Sequence, residues 1–535
     1  MPFLSRVRPL IRTLFIFWML GASAYAQSTA ATAAIDGIVR NSAGEVVPNA
    51  MIALRDLSTG QVRSTVSGGD GAYRISALAV STYEVTVDSA GFAVYKIPEV
   101  TLVLGQTTTL DITLQPAGVN ASVEVSDKPL TIDSSQTAST TSIAQESIEE
   151  LPVKDRNYLQ FTLLAPGVAP SNTRSATGGG NISSSPMADS GFTFGGLRAR
   201  SNSIAIDGLS NIDEATGASL IVLSPEIVRE FQVINNGVSA EFGGAAGGTI
   251  NVLTKTGSNV FHGTAFTFFQ NQRLNARNPF DAKRRLFHTY QPGFSLGGPL
   301  RKDKLFFYVA AEQEHMIAND EPEINRSVRS SINAALAAGF APRLTVRALQ
   351  STVFRVGTDQ TELSGKLTYL PNSFNTVNVR FAYTNNRTRG DAFNTNILYD
   401  ASARGTVYSK DYQVTGSVTS VVNPNLINDL RAQFSSRHFI SRSGDETGPE
   451  IDIVGVARFG RPYESDGTRN ERRQEFIDTI TFIRGKHELK AGVSVNHVSL
   501  NSDLGAGFGG VYIFRTLNDF LTGSAAYWRQ AFGST

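Results

Sequence analysis

Alternation of apolar and polar residues is the clearest pattern along this chain, and it is strongest beyond residue 255. In TVNVRFAYT, Val377, Val379, Phe381 and Tyr383 fall on one side of an extended backbone, and Asn378, Arg380, Ala382 and Thr384 on the other. ELSGKLTY sets Leu363, Gly365, Leu367 and Tyr369 against Glu362, Ser364, Lys366 and Thr368. NDLRAQFS sets Leu430, Ala432 and Phe434 against Asp429, Arg431, Gln433 and Ser435. ELKAGVSVN repeats the pattern, with Leu489, Ala491, Val493 and Val495 opposing Lys490, Gly492, Ser494 and Asn496. A period of two predicts strands. A soluble sandwich also alternates, so the polar face matters more than the period: it carries full charges and suits a water-filled lumen. Tyr290, Tyr308 and Tyr383 sit near strand ends, as interfacial aromatics of a transmembrane barrel do.

Two other regions read differently. Residues 27–117 hold short alternating runs (AIDGIVR, AMIALRD, AYRISAL, TYEVTVD, TLDITLQ) separated by turn sequences such as SAGE and GGDG, which predicts a small β-sandwich. Residues 118–254 are rich in Ser, Thr, Gly and Asn, and 171–191 is of low complexity. SPEIVRE predicts one or two helical turns, with Ser224 as cap and Pro225 first in the helix. FQVINN and GGTINVLTKTG predict strands on either side of the Gly-rich EFGGAAGG. In GGLRARSNSIAIDGLSN, 195–211, Ile204 and Ile206 mark a strand that Asp207-Gly208 turns. Such a thin core is more easily stabilised inside a partner.

Composition adds three exclusions. The absence of cysteine removes disulfides, thiolate metal sites and cysteine nucleophiles. A net charge of +1 excludes a strongly basic nucleic-acid binder. Residues 1–26 read as a signal peptide: Arg6, Arg8 and Arg12, an apolar LFIFWML, then AYA before Gln27. That apolar run is shorter than a membrane-spanning helix needs. The chain is therefore expected to be exported, and to enter a membrane only with strands.

Three enzyme-like matches fail on context. GFSLG, 293–297, has the spacing of a nucleophile elbow, but Ser295 falls mid-strand and no helix follows. GAGFGG, 505–510, precedes the extended VYIFRTL rather than a helix. HELKA, 487–491, has Ala491 where a zinc-protease motif needs its second histidine, and His487 and His497 read as ordinary strand positions. No catalytic, cofactor or metal residues are assigned, and no enzyme activity is expected.

IEELPVKDRNYLQFTLLAPGV (148–168), GGLRARSNSIAIDGLSNID (195–213), the 225–271 block and FSLGGPLRKDKLFFY (294–308) resemble TonB-dependent outer-membrane receptors. Residues 27–117 resemble the carboxypeptidase regulatory-like domain, through Gly37-Ile38-Val39, Pro48-Asn49-Ala50, Asp70-Gly71 with Tyr73, and Ala90-Gly91-Phe92. Ser81 departs from that pattern, where the family usually has Gly. The resemblance implies a mainly β protein: an N-terminal β-sandwich (27–117), an α+β plug domain (118–254) and part of a transmembrane antiparallel β-barrel (255–535). It implies outer-membrane localisation with a periplasmic N-terminal domain, and contact with outer-membrane lipid. It further implies uptake energised by the TonB complex of a small-molecule (siderophore or cobalamin), glycan or peptide substrate. The alternative is a non-transporting surface or adhesion protein on the same fold. Arg198, Asn202, Asp207 and Gly208 become plug-motif candidates, and Val123, Glu124 and Val125 in ASVEVSD the candidate TonB contact. A complete barrel of this kind has ~22 strands, whereas 255–535 has room for roughly ten to twelve. The chain is thus expected to stop within the barrel.

Charge is unevenly spread. Residues 118–254 carry 7 Lys+Arg and 14 Asp+Glu, a net −7, while 255–535 carry 33 and 25, a net +8. Lys366, Arg380, Arg431 and Lys490 lie on the polar strand faces. Plug and barrel are therefore expected to be electrostatically complementary. The alternative puts the positive excess in outer loops such as 278–287, with Lys283, Arg284 and Arg285.

Overall fold

The computed structural model describes residues 31–533, apart from 118–121, 125–137, 152, 154–155, 172–189, 278, 280–283, 322, 340–345, 351–352, 392, 394–397, 485–486 and 506. The signal-peptide segment 1–26 lies outside the described residues.

The first unit is a two-sheet sandwich. One sheet runs in the order Val62–Val66, Met51–Asp56, Thr82–Asp88, Val94–Thr101, Ser122–Glu124. The other centres on Ala33–Asn41, flanked by Ala72–Leu78 and by the parallel strands Thr107–Thr109 and Ile112–Leu114. Inward residues of both sheets, among them Ile35, Ile52, Leu54, Val85 and Leu114, form one core. Gly37 sits where the chain passes so close to Leu110 that a Cβ would lie 1.9 Å from its carbonyl oxygen.

The middle unit is a five-stranded mixed sheet in the order Ser139–Ile143, Val228–Asn236, Thr249–Thr254, Ser203–Ile206, Leu209–Ser210. The helical run at SPEIVRE is a single 3-10 turn, Pro225–Ile227. Its Ser224 cap accepts from the Glu226 amide, and the next residues go straight into a strand. This unit has a core of its own around Phe231, Val233, Ile250 and Val252. The wall described next adds Tyr308, Ala310 and Ala382 to it.

That wall is a nine-stranded antiparallel sheet in which every strand pairs with its sequence neighbours in the sheet. The strands are His262–Asn271, Phe287–Arg301, Leu305–Asp320, Phe354–Asn372, Asn375–Asp391, Gly405–Asn423, Leu426–Ser443, Gly467–Arg484 and His487–Leu504. Most run 15–19 residues, longer than the ~9–11 that cross a bilayer. Its burial is inverted relative to a soluble sheet. Glu312, Gln360, Glu362, Lys366, Arg380, Asp411, Gln413, Arg437 and Arg473 are buried, whereas Leu363, Leu367, Val379, Phe381, Val414, Phe434 and Phe476 are exposed. Apolar residues outward and charged residues inward fit a lipid-facing exterior and a filled lumen. The two edge strands do not pair with each other, so the sheet is open. Tyr308 departs from the interfacial reading: it points inward, its hydroxyl donating to the Glu226 carbonyl at 3.0 Å.

The connections have two characters. Leu305, Asn375 and Leu426 each follow a turn of two or three residues at one end. At the other end the connections are long, and two of them build a cap together with the segment that follows His487–Leu504. Strands Glu450–Ile453 and Val511–Phe514 pair in parallel, and Ala457–Phe459 and Tyr527–Arg529 flank them. Ile324, Ile332, Ile451, Phe459, Phe514 and Phe520 form the cap's core. These long connections explain why nine wall strands occupy a stretch with room for more. Short turns mark the periplasmic side and long loops the outer side. The sandwich lies at the short-turn end, where Arg74 pairs with Glu488 at 2.6 Å and Arg63 donates to the Ser373 carbonyl at 3.4 Å.

Candidate functional site

The polar inner face of the wall and the middle unit meet in a chain of buried ion pairs. At its centre is the Asp207-Gly208 turn. Ile206 and Leu209 are partners across a two-residue loop, and both loop residues have positive φ, 52° and 77°. This is the Asp-Gly hairpin turn whose twist matches its strands. It projects the Asp207 carboxylate at the wall, 3.3 Å from Lys366 Nζ and 3.0 Å from Arg380 Nε. The Thr254 amide and hydroxyl donate to the same carboxylate. Burial by itself would raise the Asp207 pKa; the two cations and Thr254 outweigh it and hold the group at about 2.

A second node lies next along the wall. Arg437 spans from Asp411 on its own sheet, at 2.8 Å, to Asp213 of the middle unit, at 2.6 Å. It also donates to the Leu220 carbonyl at 2.5 Å. Arg469 contacts Asp213 as well. Burial pushes Asp213 up, but the two guanidiniums and the Ala215 amide leave it below the usual carboxylate range. Arg473 then reaches Glu214 at 2.7 Å and the Ile212 carbonyl at 2.6 Å. Glu475 accepts from the Ser210 amide at 2.9 Å, and Gln433 donates to the Ser210 carbonyl at 2.8 Å. At a third node Arg156 bridges Glu226 and the wall's Glu312, each at 2.8 Å, and stacks 4.3 Å over the Phe266 ring.

The residues singled out in the sequence are distributed as follows. Asp207 and Gly208 form the central turn. Asn202 is buried inside the middle unit and donates to the Phe192 carbonyl and Ser190 hydroxyl. Arg198 is exposed, and its side chain makes no ion pair among the described residues. Lys366, Arg380 and Lys490 each meet an acidic residue of the middle unit; Lys490 meets Glu241 at 3.3 Å. Arg431 does not. It pairs with Asp429 at 2.9 Å, two residues away and thus on the same strand face. Arg284 donates to the Arg273 carbonyl and Arg285 stands 3.8 Å from Asp320, both at the outer end; Lys283 lies outside the described residues. Sequence reasoning missed Arg437, Arg469, Arg473, Asp213 and Glu214. The signal was present in the alternation of Arg469, Glu471, Arg473 and Glu475 on one face of a strand. Ser295 is an inward strand residue with its hydroxyl 2.9 Å from that of Thr264, so GFSLG is not a nucleophile elbow.

Ser122–Glu124 is the edge strand of the sandwich, running parallel to Val94–Thr101 with Val123 opposite Tyr95 and Glu124 opposite Lys96. Val125 lies outside the described residues.

Comparison with known proteins resolves the family. The outer membrane beta barrel domain family matches residues 253–328 and 317–535, more than half of the chain. The chain belongs to that family and is an outer-membrane receptor. Residues 34–115 of the receptor match the carboxypeptidase regulatory-like domain family. It is 29% identical over 307 residues to the TonB-dependent transporter Oar of Myxococcus xanthus, covering 54% of this chain and 27% of that one. It is 23% identical over 253 residues to the probable TonB-dependent siderophore receptor PirA of Acinetobacter baumannii, covering 47% and 26%. The aligned part thus spans about a quarter of either relative. Among solved structures, the outer membrane transporter YddB from Escherichia coli shares the fold, with a TM-score of 0.50, 12% identity, and coverage of 70% of this chain and 50% of that one. The receptor is an outer-membrane protein with its sandwich in the periplasm.

Proposed function

We propose that the chain works in TonB-energised uptake of a small molecule, glycan or peptide across the outer membrane, with residues 118–254 acting as the plug of the lumen. The observation that carries this is the seating of the middle unit. It is held to the wall by Asp207, Asp213, Glu214 and Arg156, and among the described residues the wall supplies only three to its buried apolar core. Polar contacts can be exchanged one at a time for water or for substrate. A continuous apolar interface would have to break as a unit. Such a seat is stable at rest and yields piecewise under a pull.

The pull would come through Val123, Glu124 and Val125. Ser122–Glu124 is already an edge strand, and an edge presents unpaired backbone groups to which the periplasmic energiser can add as a further strand. Cysteines placed singly along 119–130 should cross-link to TonB in cells, most strongly at 123–125. Cross-linking no greater than with a scrambled 119–130 segment would overturn this contact. Uptake that persists without TonB would overturn energised transport.

A further inference from the structure

The outer cap contains a cavity that the seating of the middle unit does not use. It has a volume of roughly 80 Å³ and lies between the parallel pair Glu450–Ile453 and Val511–Phe514 and the segments carrying Tyr399 and Tyr463. Three carboxylates, Glu450, Asp452 and Glu464, and two guanidiniums, Arg458 and Arg529, line it. One negative charge is therefore in excess.

These groups are not equally satisfied. Arg458 is committed to Asp452 at 2.6 Å and to the Tyr399 hydroxyl at 2.5 Å, and stacks on the Tyr399 ring at 5.2 Å. Arg529 stacks on Tyr463 at 5.0 Å. Glu450 is 2% exposed. Its Oε2 accepts from the Tyr463 amide at 2.5 Å. Its Oε1 accepts no hydrogen bond among the described residues; Arg458 Nη1 stands 3.3 Å away, not aligned to donate. Glu464, also on the wall of the cavity, makes no hydrogen bond or ion pair among the described residues. A buried carboxylate oxygen without a donor is costly unless something supplies one.

We propose that this cavity is a binding site for a positively charged hydrogen-bond donor, specifically the ammonium group of an amine-bearing ligand arriving from outside the cell. Glu450 Oε1 and Glu464 accept its hydrogens, and one positive charge neutralises the excess. A neutral alcohol of the same shape would leave the excess charge unmatched. Burial, opposed by the Tyr463 amide and Arg458, raises the Glu450 pKa to about 7, and burial raises Glu464 too. Both shifts fit carboxylates waiting for a cation. The inference concerns ligand chemistry at the cap and does not depend on energisation or on the TonB contact.

The test uses the purified full chain in detergent micelles, with cyclohexylamine and its neutral isostere cyclohexanol as probes. Trp528 stacks 4.2 Å from Tyr512 on the strand lining the cavity, and because Trp18 lies in the signal peptide it is the sole tryptophan of the chain from Gln27 onward. The amine should change Trp528 fluorescence saturably at pH 8, and the alcohol should not. Glu450→Gln and, separately, the half-buried Glu464→Gln should each weaken amine binding about tenfold, as expected for loss of a charge-assisted hydrogen bond. Equal responses to amine and alcohol, or unchanged amine affinity in a folded Glu464→Gln variant, would overturn the proposal. TonB cross-linking in the same variants should be unaltered, which separates failure here from failure of the transport reading.

Discussion

Arg437 and Asp213 face each other at 2.6 Å, and neither side chain is more than 2% exposed. One belongs to the membrane wall and the other to the unit seated against it, and 224 residues separate them in the chain. Asp411 and Arg469 complete the node. Burying such charges has a large desolvation cost, so the node as a whole need not be strongly stabilising. Removing one member is a different matter, because it strands the others in a low-dielectric site.

Arg437→Met should therefore unseat the middle unit, leaving Asp213 and Asp411 close together without their shared guanidinium. The expected loss is about 3–5 kcal/mol. In micelles this would appear as faster proteolysis within 190–254, with strand circular dichroism retained. A variant as protease-resistant as the wild type would show that the node does not hold the unit.

The junction between sandwich and middle unit should respond to pH. Glu230 is buried against the loop at Leu104, whose amide donates to both carboxylate oxygens at 3.2 and 3.4 Å, and Gln232 donates to the Leu104 carbonyl. Burial raises Glu230 to about 7; the Leu104 amide and Arg229 oppose this and Glu146 adds to it. Its ordinary value is 4.5. Between these values the docked form binds the extra proton. Docking is therefore strongest below pH 4.5, weakens as pH rises toward 7, and is level above that. The apparent docking constant should fall on the order of a hundredfold across the window. Energy transfer between dyes on cysteines at Asp70 and Lys302, both exposed, would report it. Glu230→Gln should flatten the profile, and a wild-type signal independent of pH from 4 to 8 would contradict the assignment.

Strand faces were legible because a period of two needs no knowledge of the partner. Glu362, Lys366, Arg380, Gln433 and Lys490 all stand on the side that alternation assigns them. The Asp207-Gly208 turn was legible for a similar reason, since its chemistry is local. What the sequence hides is pairing across distance. Nothing near Arg431 distinguishes it from Arg437, yet one meets Asp429 on its own strand and the other reaches Asp213. The cap was hidden for the same cause. Ile332, Ile451 and Phe514 come from three separate segments outside the wall strands, each too short in apolar residues to announce a core.

Close packing at Gly37 gives a sharp test of the sandwich. A methyl group there would meet the Leu110 carbonyl carbon at 2.6 Å as well as its oxygen, and both are backbone atoms that cannot swing aside. Gly37→Ala should push the Thr107–Thr109 segment off Ala33–Asn41, break the Tyr73 hydroxyl bond to Leu110, and cost about 1–3 kcal/mol. Gly69→Ala, where a Cβ meets nothing within 4 Å, is the control. Hydrogen exchange over 33–41 and 107–114 should rise in the first variant only.

Asp207 serves two cations, and this asymmetry fixes an order of effects. Asp207→Asn removes the only carboxylate that pairs with Lys366 or Arg380 among the described residues, leaving two buried positive charges side by side. Lys366→Met removes one cation and leaves Asp207 paired with Arg380 at 3.0 Å and bonded to Thr254. The first change should therefore destabilise by about 3–5 kcal/mol and the second by roughly 1–2 kcal/mol less. The depressed Asp207 pKa adds a pH signature. Its contribution is present above its unfolded value of 3.8 and is lost as pH falls toward about 2. Acid titration of wild type should show this loss, and Asp207→Asn should lack it. Thermal melts of the three proteins in one detergent would decide the order; Lys366→Met falling as far as Asp207→Asn would mean that Lys366, and not the shared carboxylate, holds the turn against the wall.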